Sequence, residues 1–306
     1  MRFEGIHHIT CITGDAPGNV DFYVRVLGLR LVKKSVNQDD PTVYHLFYAD
    51  EKGSAGSDLT FFEYPNARSG RAGRGMVHRI VFRVASEDAI EFWKDRLTTE
   101  GVDVDRSEGS LRFSDPEGLD LELSVVATTD EPLIADHPEI PRELALQGFD
   151  GVRAYADPGP SRAFLEQVLS FDPHGDSVWE VRGGKRGSWY AYDEPPLELG
   201  VPGAGTVHHV AWGTTVGEHP HWEERLTSAG VPTSGIIDRH YFHSIYFREP
   251  SGVLFEIATI GPGFTVDEPL EHLGEKLSLP PDYEHLRATV EPVLTPLPNL
   301  RELVQR

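Results

Sequence analysis

Two segments of the chain end on the same pattern, and a fold has to accommodate both. Phe113-Ser-Asp-Pro-Glu-Gly-Leu-Asp-Leu-Glu122 and Phe247-Arg-Glu-Pro-Ser-Gly-Val-Leu-Phe-Glu256 each place an acid-Pro-x-Gly turn before a strand-like run, with a glutamate nine positions after the phenylalanine. Shorter echoes extend the repeat. Asp15-Ala-Pro-Gly followed by Val26-Leu27-Gly28-Leu29 matches Asp157-Pro-Gly-Pro followed by Val168-Leu169-Ser170-Phe171. A period of roughly 65 to 75 residues exceeds the ~20–50 of ordinary solenoid repeats. It suits four small sheet-and-helix units packed in pairs.

Each unit reads βαβββ. In the first, residues 5–13 form a strand-like run, and Asp15 before Pro17 can cap a helix carrying Val20, Tyr23, Val24 and Leu27 at helical spacing until Gly28. Three β-rich runs follow, at 29–35, 42–48 and 59–64, separated by turn residues. The pattern restarts at Met76 with a helix through Ile90, Trp93 and Leu97, at Gly151 with a helix at 161–169, and at Thr206 with Trp222 and Leu226 on its helix. The expected fold is therefore α+β, with four βαβββ units forming two pseudo-barrel halves and a C-terminal helical tail. Residues 1–130 hold units one and two, 131–146 connect the halves, 147–262 hold units three and four, and 263–306 form the tail.

Histidine doublets open two of these units: His7-His8 in Gly5-Ile-His-His-Ile-Thr10, and His208-His209 in Gly205-Thr-Val-His-His-Val210. Strand alternation puts His8 with Thr10 on one face and His7 with Ile9 on the other, and likewise separates His209 from His208. Glu256 shares its face with Leu254 and Ala258, so burial of that face strands a carboxylate unless a cation compensates it. The single cysteine, Cys11, excludes a thiolate cluster, leaving His, Asp and Glu as ligands. Two imidazoles and a carboxylate with open positions make the facial set of non-haem Fe(II) oxygenases, which Zn, Mn or Ni can also occupy. The second unit keeps Glu122 but has His78-Arg79 in place of the doublet. The third has Val152-Arg153 there and offers no ligand. His174, His219 and His221 read as solvated loop residues.

Charge narrows the partners. With 28 basic against 49 acidic residues, the net charge of −21 argues against nucleic acid or an anionic membrane. No run approaches the ~20 apolar residues of a bilayer span and none has signal-peptide form, so a cytoplasmic location is expected.

Further stretches carry a resemblance that covers nearly the whole chain. His7-His-Ile-Thr10, Gly28-Leu-Arg-Leu-Val-Lys-Lys-Ser-Val-Asn37, Asp39-Asp-Pro, Tyr44-His-Leu, Val207-His-His-Val210, Asp238-Arg239 with Tyr246, and Leu273-Gly-Glu-Lys-Leu-Ser-Leu-Pro-Pro281 resemble the ring-cleaving dioxygenases of the vicinal oxygen chelate superfamily, which includes glyoxalases and bleomycin-resistance proteins. The hydroquinone-cleaving group is the nearest match. The resemblance implies Fe(II), or Mn(II) or another divalent metal, held by His8, His209 and Glu256, so units one and four are expected to pack together and share the metal site. Around it would stand His7, Thr10, His208, Arg239 and Tyr246. The implied partners are a small aromatic diol and O2, and a homo-oligomer is compatible with the family. Arg239 or Tyr246 would hold an oxygen anion or move a proton.

Two alternatives remain at this point. A glyoxalase-like isomerase or lyase would use a redox-inert metal held by two His and two Glu, with Glu63 as the added ligand. Glu63 lacks the acid-Pro-x-Gly lead-in, which argues against that set. A metal-free small-molecule binding protein on the same repeats would have to leave Glu256 buried without a cation.

Overall fold

The computed structural model describes residues 1–297. Positions 298–306 of the expected tail lie outside the described residues. The strands are β1 (Ile6–Thr13), β2 (Arg30–Asn37), β3 (Asp40–Ala49), β4 (Asp58–Glu63), β5 (Met76–Val84), β6 (Val104–Ser107), β7 (Ser110–Ser114) and β8 (Asp120–Val125). They continue as β9 (Phe149–Tyr155), β10 (Asp172–Pro173), β11 (Val178–Arg182), β12 (Gly187–Asp193), β13 (Thr206–Thr214), β14 (Ile237–Asp238), β15 (His243–Arg248) and β16 (Leu254–Thr259). Four helices follow the opening strands: α1 (Ala16–Val20), α2 (Glu87–Thr99), α3 (Pro158–Ala163) and α4 (His219–Ser228). Local chemistry starts them, at Asp15 and Pro17 as the sequence suggests and elsewhere by the same means. Asp15, Ser86 and Asp157 each accept a backbone N–H of the first turn, and proline stands in the opening turns of α1, α3 and α4. The first and third helices run on as π-helical turns, Asp21–Val26 and Phe164–Val168.

Within a unit the last strand returns beside the first. β1 pairs parallel with β4 and β5 with β8, as do β9 with β12 and β13 with β16. A helix between strands supplies the crossover that parallel pairing requires. First strands then pair antiparallel between units, β1 with β13 and β5 with β9. The result is two eight-stranded sheets, ordered β14-β15-β16-β13-β1-β4-β3-β2 and β10-β11-β12-β9-β5-β8-β7-β6. The mixed α+β architecture matches the expectation; the first sheet joins units one and four, and the second joins units two and three.

The repeated turn has a structural duty. Asp115 accepts hydrogen bonds from the backbone N–H groups of Glu117 and Leu119 (2.9 and 2.8 Å) and from the Tyr23 hydroxyl at 3.0 Å. Glu249 repeats this with the N–H groups of Ser251 and Val253 (2.9 and 3.0 Å) and the Tyr192 hydroxyl at 2.8 Å. The turn glycines, Gly118 and Gly252, sit at φ of 91° and 99°, which a side chain would strain. The acidic residue thus closes its own turn and ties it to the preceding unit. A core of Trp93, Trp179, Trp212 and Trp222 with many aliphatic residues joins helices and sheets.

The tail crosses the first sheet as 3-10 turns at Phe264–Val266, Leu270–His272 and Pro281–Leu286, followed by a short α turn at Arg287–Val290. Its anchor is Lys33 of β2, a fully buried cation paired with Asp267 at 2.7 Å and with Glu268. An unpaired ammonium there would be costly.

Candidate metal centre

Strands β1, β13 and β16 lie side by side, and their registry brings three donors together. Ala211 of β13 stands opposite His8 on one side and Glu256 on the other, and it is fully buried with a small side chain. His8 Nε2 lies 3.3 Å from His209 Nε2. Glu256 Oε2 lies 3.1 Å from the former and 2.9 Å from the latter. All three side chains are buried, at 2%, 4% and 0% exposure, and their donor atoms fall within 4.8 Å of one another. Although the distances are those of ion pairs, among the described residues neither Glu256 oxygen has a hydrogen-bond partner of good geometry. The three groups aim at a shared point rather than at each other.

Electrostatics reflects that shortage of positive charge. Burial drives the His8 imidazole toward neutrality, yet Glu256 outweighs it and raises His8 above its usual range. His209 is lowered, burial there outweighing the same carboxylate. Burial also opposes ionisation of Glu256, but the two imidazoles hold it well below the usual carboxylate range. Nearby Asp58, opposite His8 in β4, has both oxygens buried without a partner, and burial pushes its carboxyl up to about 8.

The expected separation of each doublet onto opposite faces is corrected by two β-bulges. Ile6 pairs with Trp212 but His8 with Ala211, so His7 is the inserted residue. Thr10 pairs with His209 but Cys11 with Val207, so His208 is inserted on the other strand. A bulge puts two residues opposite one and breaks the alternation. His7 Nδ1 consequently lies 2.9 Å from His8 Nδ1, and His208 Nδ1 lies 2.8 Å from His209 Nδ1. A histidine whose Nδ1–H is engaged presents Nε2 as a lone-pair donor, the tautomer a metal ligand needs. His7 is buried behind His8 and also bonds to the backbone of Thr259, whereas His208 reaches the cavity wall.

In front of the donors is a cavity of about 320 Å3, lined by His8, Thr10, His208, His209, Arg239 and Tyr246 among others. Of the site residues expected from the sequence, His7 alone among the surrounding group stands behind the cavity wall rather than in it. Arg239 pairs with Asp39 at 2.9 Å and lies over the Tyr246 ring, 5.5 Å from its centroid. Burial lowers the basicity of Arg239, but Asp39 and Tyr246 outweigh it; burial and Glu256 raise Tyr246. Phe47, Phe62 and Phe242, which supply apolar wall, and His45 and Asp39 also line the cavity, although no motif of the sequence assigns them a role there. Alternation along β3 and β4 could have placed His45, Phe47 and Phe62 on one face. Nothing periodic flags Phe242, whose ring packs on His8 with centroids 4.9 Å apart.

Two further expectations change. His219 is buried at the start of α4, its Nε2 3.0 Å from the Ile257 carbonyl, because the helix packs that end onto β16; it is not a solvated loop residue. In the second sheet, pairing aligns Arg79 with Arg153 and Val81 with Gly151, with Asp150 bulged out. The counterpart of His8 is therefore Gly151 rather than Val152 or Arg153. Glu63 caps the first helix, accepting from Ala16 N–H at 3.3 Å and from the Thr295 hydroxyl at 2.9 Å. Among the described residues, the His8, His209 and Glu256 group does not include it.

This fold and donor set define a class, and comparison with known proteins agrees. Residues 5–123 and 152–257 match the family described as the Glyoxalase/Bleomycin resistance protein/Dioxygenase superfamily, and the chain belongs to it. MhqA of Bacillus subtilis (strain 168), named as a candidate ring-cleaving dioxygenase, is 39% identical over 97% of this chain and 100% of its own length. The chlorohydroquinone/hydroquinone 1,2-dioxygenase of Sphingobium indicum is 32% identical over 94% of both chains. A crystal structure of a candidate dioxygenase from Bacillus subtilis superimposes with a TM-score of 0.90 at 37% identity, covering 97% of this chain and 98% of that one. Glyoxalase I from Zea mays shares the fold, with a TM-score of 0.59 at 14% identity over 83% of this chain and 92% of that one.

Proposed function

We propose that the protein is an Fe(II)-dependent dioxygenase that cleaves the ring of a hydroquinone- or catechol-type aromatic diol with O2. The observation that carries this reading is the convergence of His8, His209 and Glu256 on one point, with a buried carboxylate that no hydrogen bond satisfies, at the wall of an aromatic-lined cavity. Such a donor set suits Fe(II), and Mn(II) would also fit it. Iron(II) held there would supply the Lewis acidity that ionises a phenol and the one-electron chemistry by which O2 reacts with an aromatic ring.

The chain's own groups then have separate duties. His7 fixes the ring of His8 through the Nδ1 contact and is itself fixed at Thr259. His208 does the same for His209 while facing the cavity, where its remaining N–H can donate a hydrogen bond to an oxygen of the diol. Arg239, steadied by Asp39, and the Tyr246 hydroxyl offer donors to a developing oxygen anion. Thr10 fixes the cavity wall beside His8 by accepting from the Thr60 hydroxyl at 2.8 Å. Phe47, Phe62, Phe242 and Leu254 exclude water from the ring.

A glyoxalase-like set of two His and two Glu is disfavoured because Glu63 is engaged at Ala16 and Thr295. Anaerobic loading with Fe(II), followed by oxygen uptake with hydroquinone and catechol panels, tests the proposal. Consumption of about one O2 per diol is expected. Full iron loading with no uptake on any diol would sink it.

A further inference from the structure

The cavity has a second polar end. His45 is on β3, two strands away from β1, a lateral separation of about 10 Å at ordinary strand spacing. Its imidazole lies between Phe47 and Phe62, with ring centroids 3.9 and 4.4 Å away. Its Nε2 is 2.9 Å from the Thr60 hydroxyl, which in turn donates to Thr10 at 2.8 Å. With the Thr60 proton given to Thr10, the Thr60 oxygen accepts from His45 Nε2–H. That tautomer leaves His45 Nδ1 as an acceptor, and among the described residues it has no partner. Burial, followed by the neighbouring imidazoles of His8 and His209, holds this imidazole well below its usual range.

An aromatic cavity with a donor-hungry nitrogen opposite a metal-type centre suits a ring with hydroxyls at both ends. We propose that His45 is a specificity-determining residue that accepts a hydrogen bond from the remote hydroxyl of a para-diol whose other oxygen is turned toward His8, His209 and Glu256. The inference rests on the dioxygenase reading for the orientation of the diol, but it concerns binding and is measurable without turnover. An acceptor that the bound ring shuts off from water and leaves unpaired is costly, so a ligand lacking the remote proton is rejected more strongly than its size would require. The Thr10–Thr60–His45 chain explains how the selection is built in. Two threonine hydroxyls on adjacent strands hold the imidazole in one tautomer, and two phenyl rings hold its plane.

The test compares hydroquinone with 4-methoxyphenol, which keeps one phenol and replaces the remote hydroxyl by an ether. Anaerobic dissociation constants are measured on the Fe(II)-loaded protein, with iron content assayed alongside. The wild-type protein should prefer hydroquinone by about tenfold or more, the value of one well-made hydrogen bond. In His45→Phe that preference should collapse toward unity while 4-methoxyphenol affinity and iron content hold. His45→Gln, whose amide oxygen can accept, should recover part of it. In turnover the His45→Phe loss should appear in KM for hydroquinone rather than in kcat. Equal binding of the two ligands by the wild type, or a preference that survives in both His45→Phe and His45→Ala, overturns the proposal. A His45-dependent preference without oxygen uptake would leave this inference standing and remove the dioxygenase reading. Normal uptake with an unchanged preference would do the reverse.

Discussion

The two sheets are built alike and use their centres differently. In the first, His8, His209 and Glu256 meet with no cationic side chain between them among the described residues. In the second, the matching register positions hold Gly151, Arg79 and Glu122. Arg79 Nη1 lies 3.4 Å from Glu122, Arg112 Nε lies 3.2 Å from it, and the Ser110 hydroxyl donates to it at 2.8 Å. A Cβ on Gly151 would come within 2.2 Å of Trp189, whose ring fills the space that His8 occupies in the first sheet. Even the bulges are kept, at His78 and Asp150. His78, however, bonds to Asp193 at 2.8 Å, which also pairs with Arg153, instead of steadying a neighbouring ligand. The same scaffold can therefore neutralise its strand glutamate with a built-in guanidinium or leave that task to a removable ion. Only the second choice leaves an open position for chemistry.

The comparison can be broken first at the glutamates. Glu256→Gln should bring metal content and oxygen uptake to background, while Glu122→Gln leaves both unchanged; elemental analysis and an oxygen electrode measure them. Loss of metal in the Glu122 variant would show that the second sheet is not a closed site. Removing the metal is the next largest effect. At free Fe(II) a hundredfold above its dissociation constant, chelation should lower stability by about 2.7 kcal/mol, read by anaerobic denaturant titration. The Glu256→Gln protein should show no such dependence.

The bulged histidines sharpen the contrast further. His7→Phe should weaken metal affinity about 10- to 100-fold, because the His8 tautomer loses its partner. His78→Phe should leave metal affinity as it is, and competition with a chromophoric chelator distinguishes the two. The smallest effect belongs to the built-in cation. Arg79→Met should cost about 1 kcal/mol in denaturant titration, with activity intact, since Glu122 keeps Arg112 and Ser110.

How legible these centres were depends on the range of the interaction. The acid-Pro-x-Gly turns, the helix cap at Asp15 and the apolar faces are local, and alternation or turn chemistry reveals them directly. The donor types were legible too, because a glutamate phased into a buried face demands a compensating charge. The side on which His7 and His208 fall was misread, since a bulge is set by the ladder between β1 and β13 and leaves no mark on the period of either strand. The same cause displaced the counterpart of His8 from Val152-Arg153 to Gly151. His219 was misread because its burial comes from α4 packing onto β16, a contact its neighbours in sequence do not signal.

The sequence by itself determined the repeated βαβββ unit, the glutamate in each copy of the turn signature, and the presence of imidazoles in some copies and arginines in others. These follow from residue type and short-range spacing. Only the tertiary structure decided that β1 pairs with β13, bringing His8 within 3.3 Å of His209, and that Trp189 closes the corresponding space in the other sheet. Hydrogen-bond pairing between strands some two hundred positions apart and the filling of a shared interior depend on the whole packed chain, and no local period encodes them.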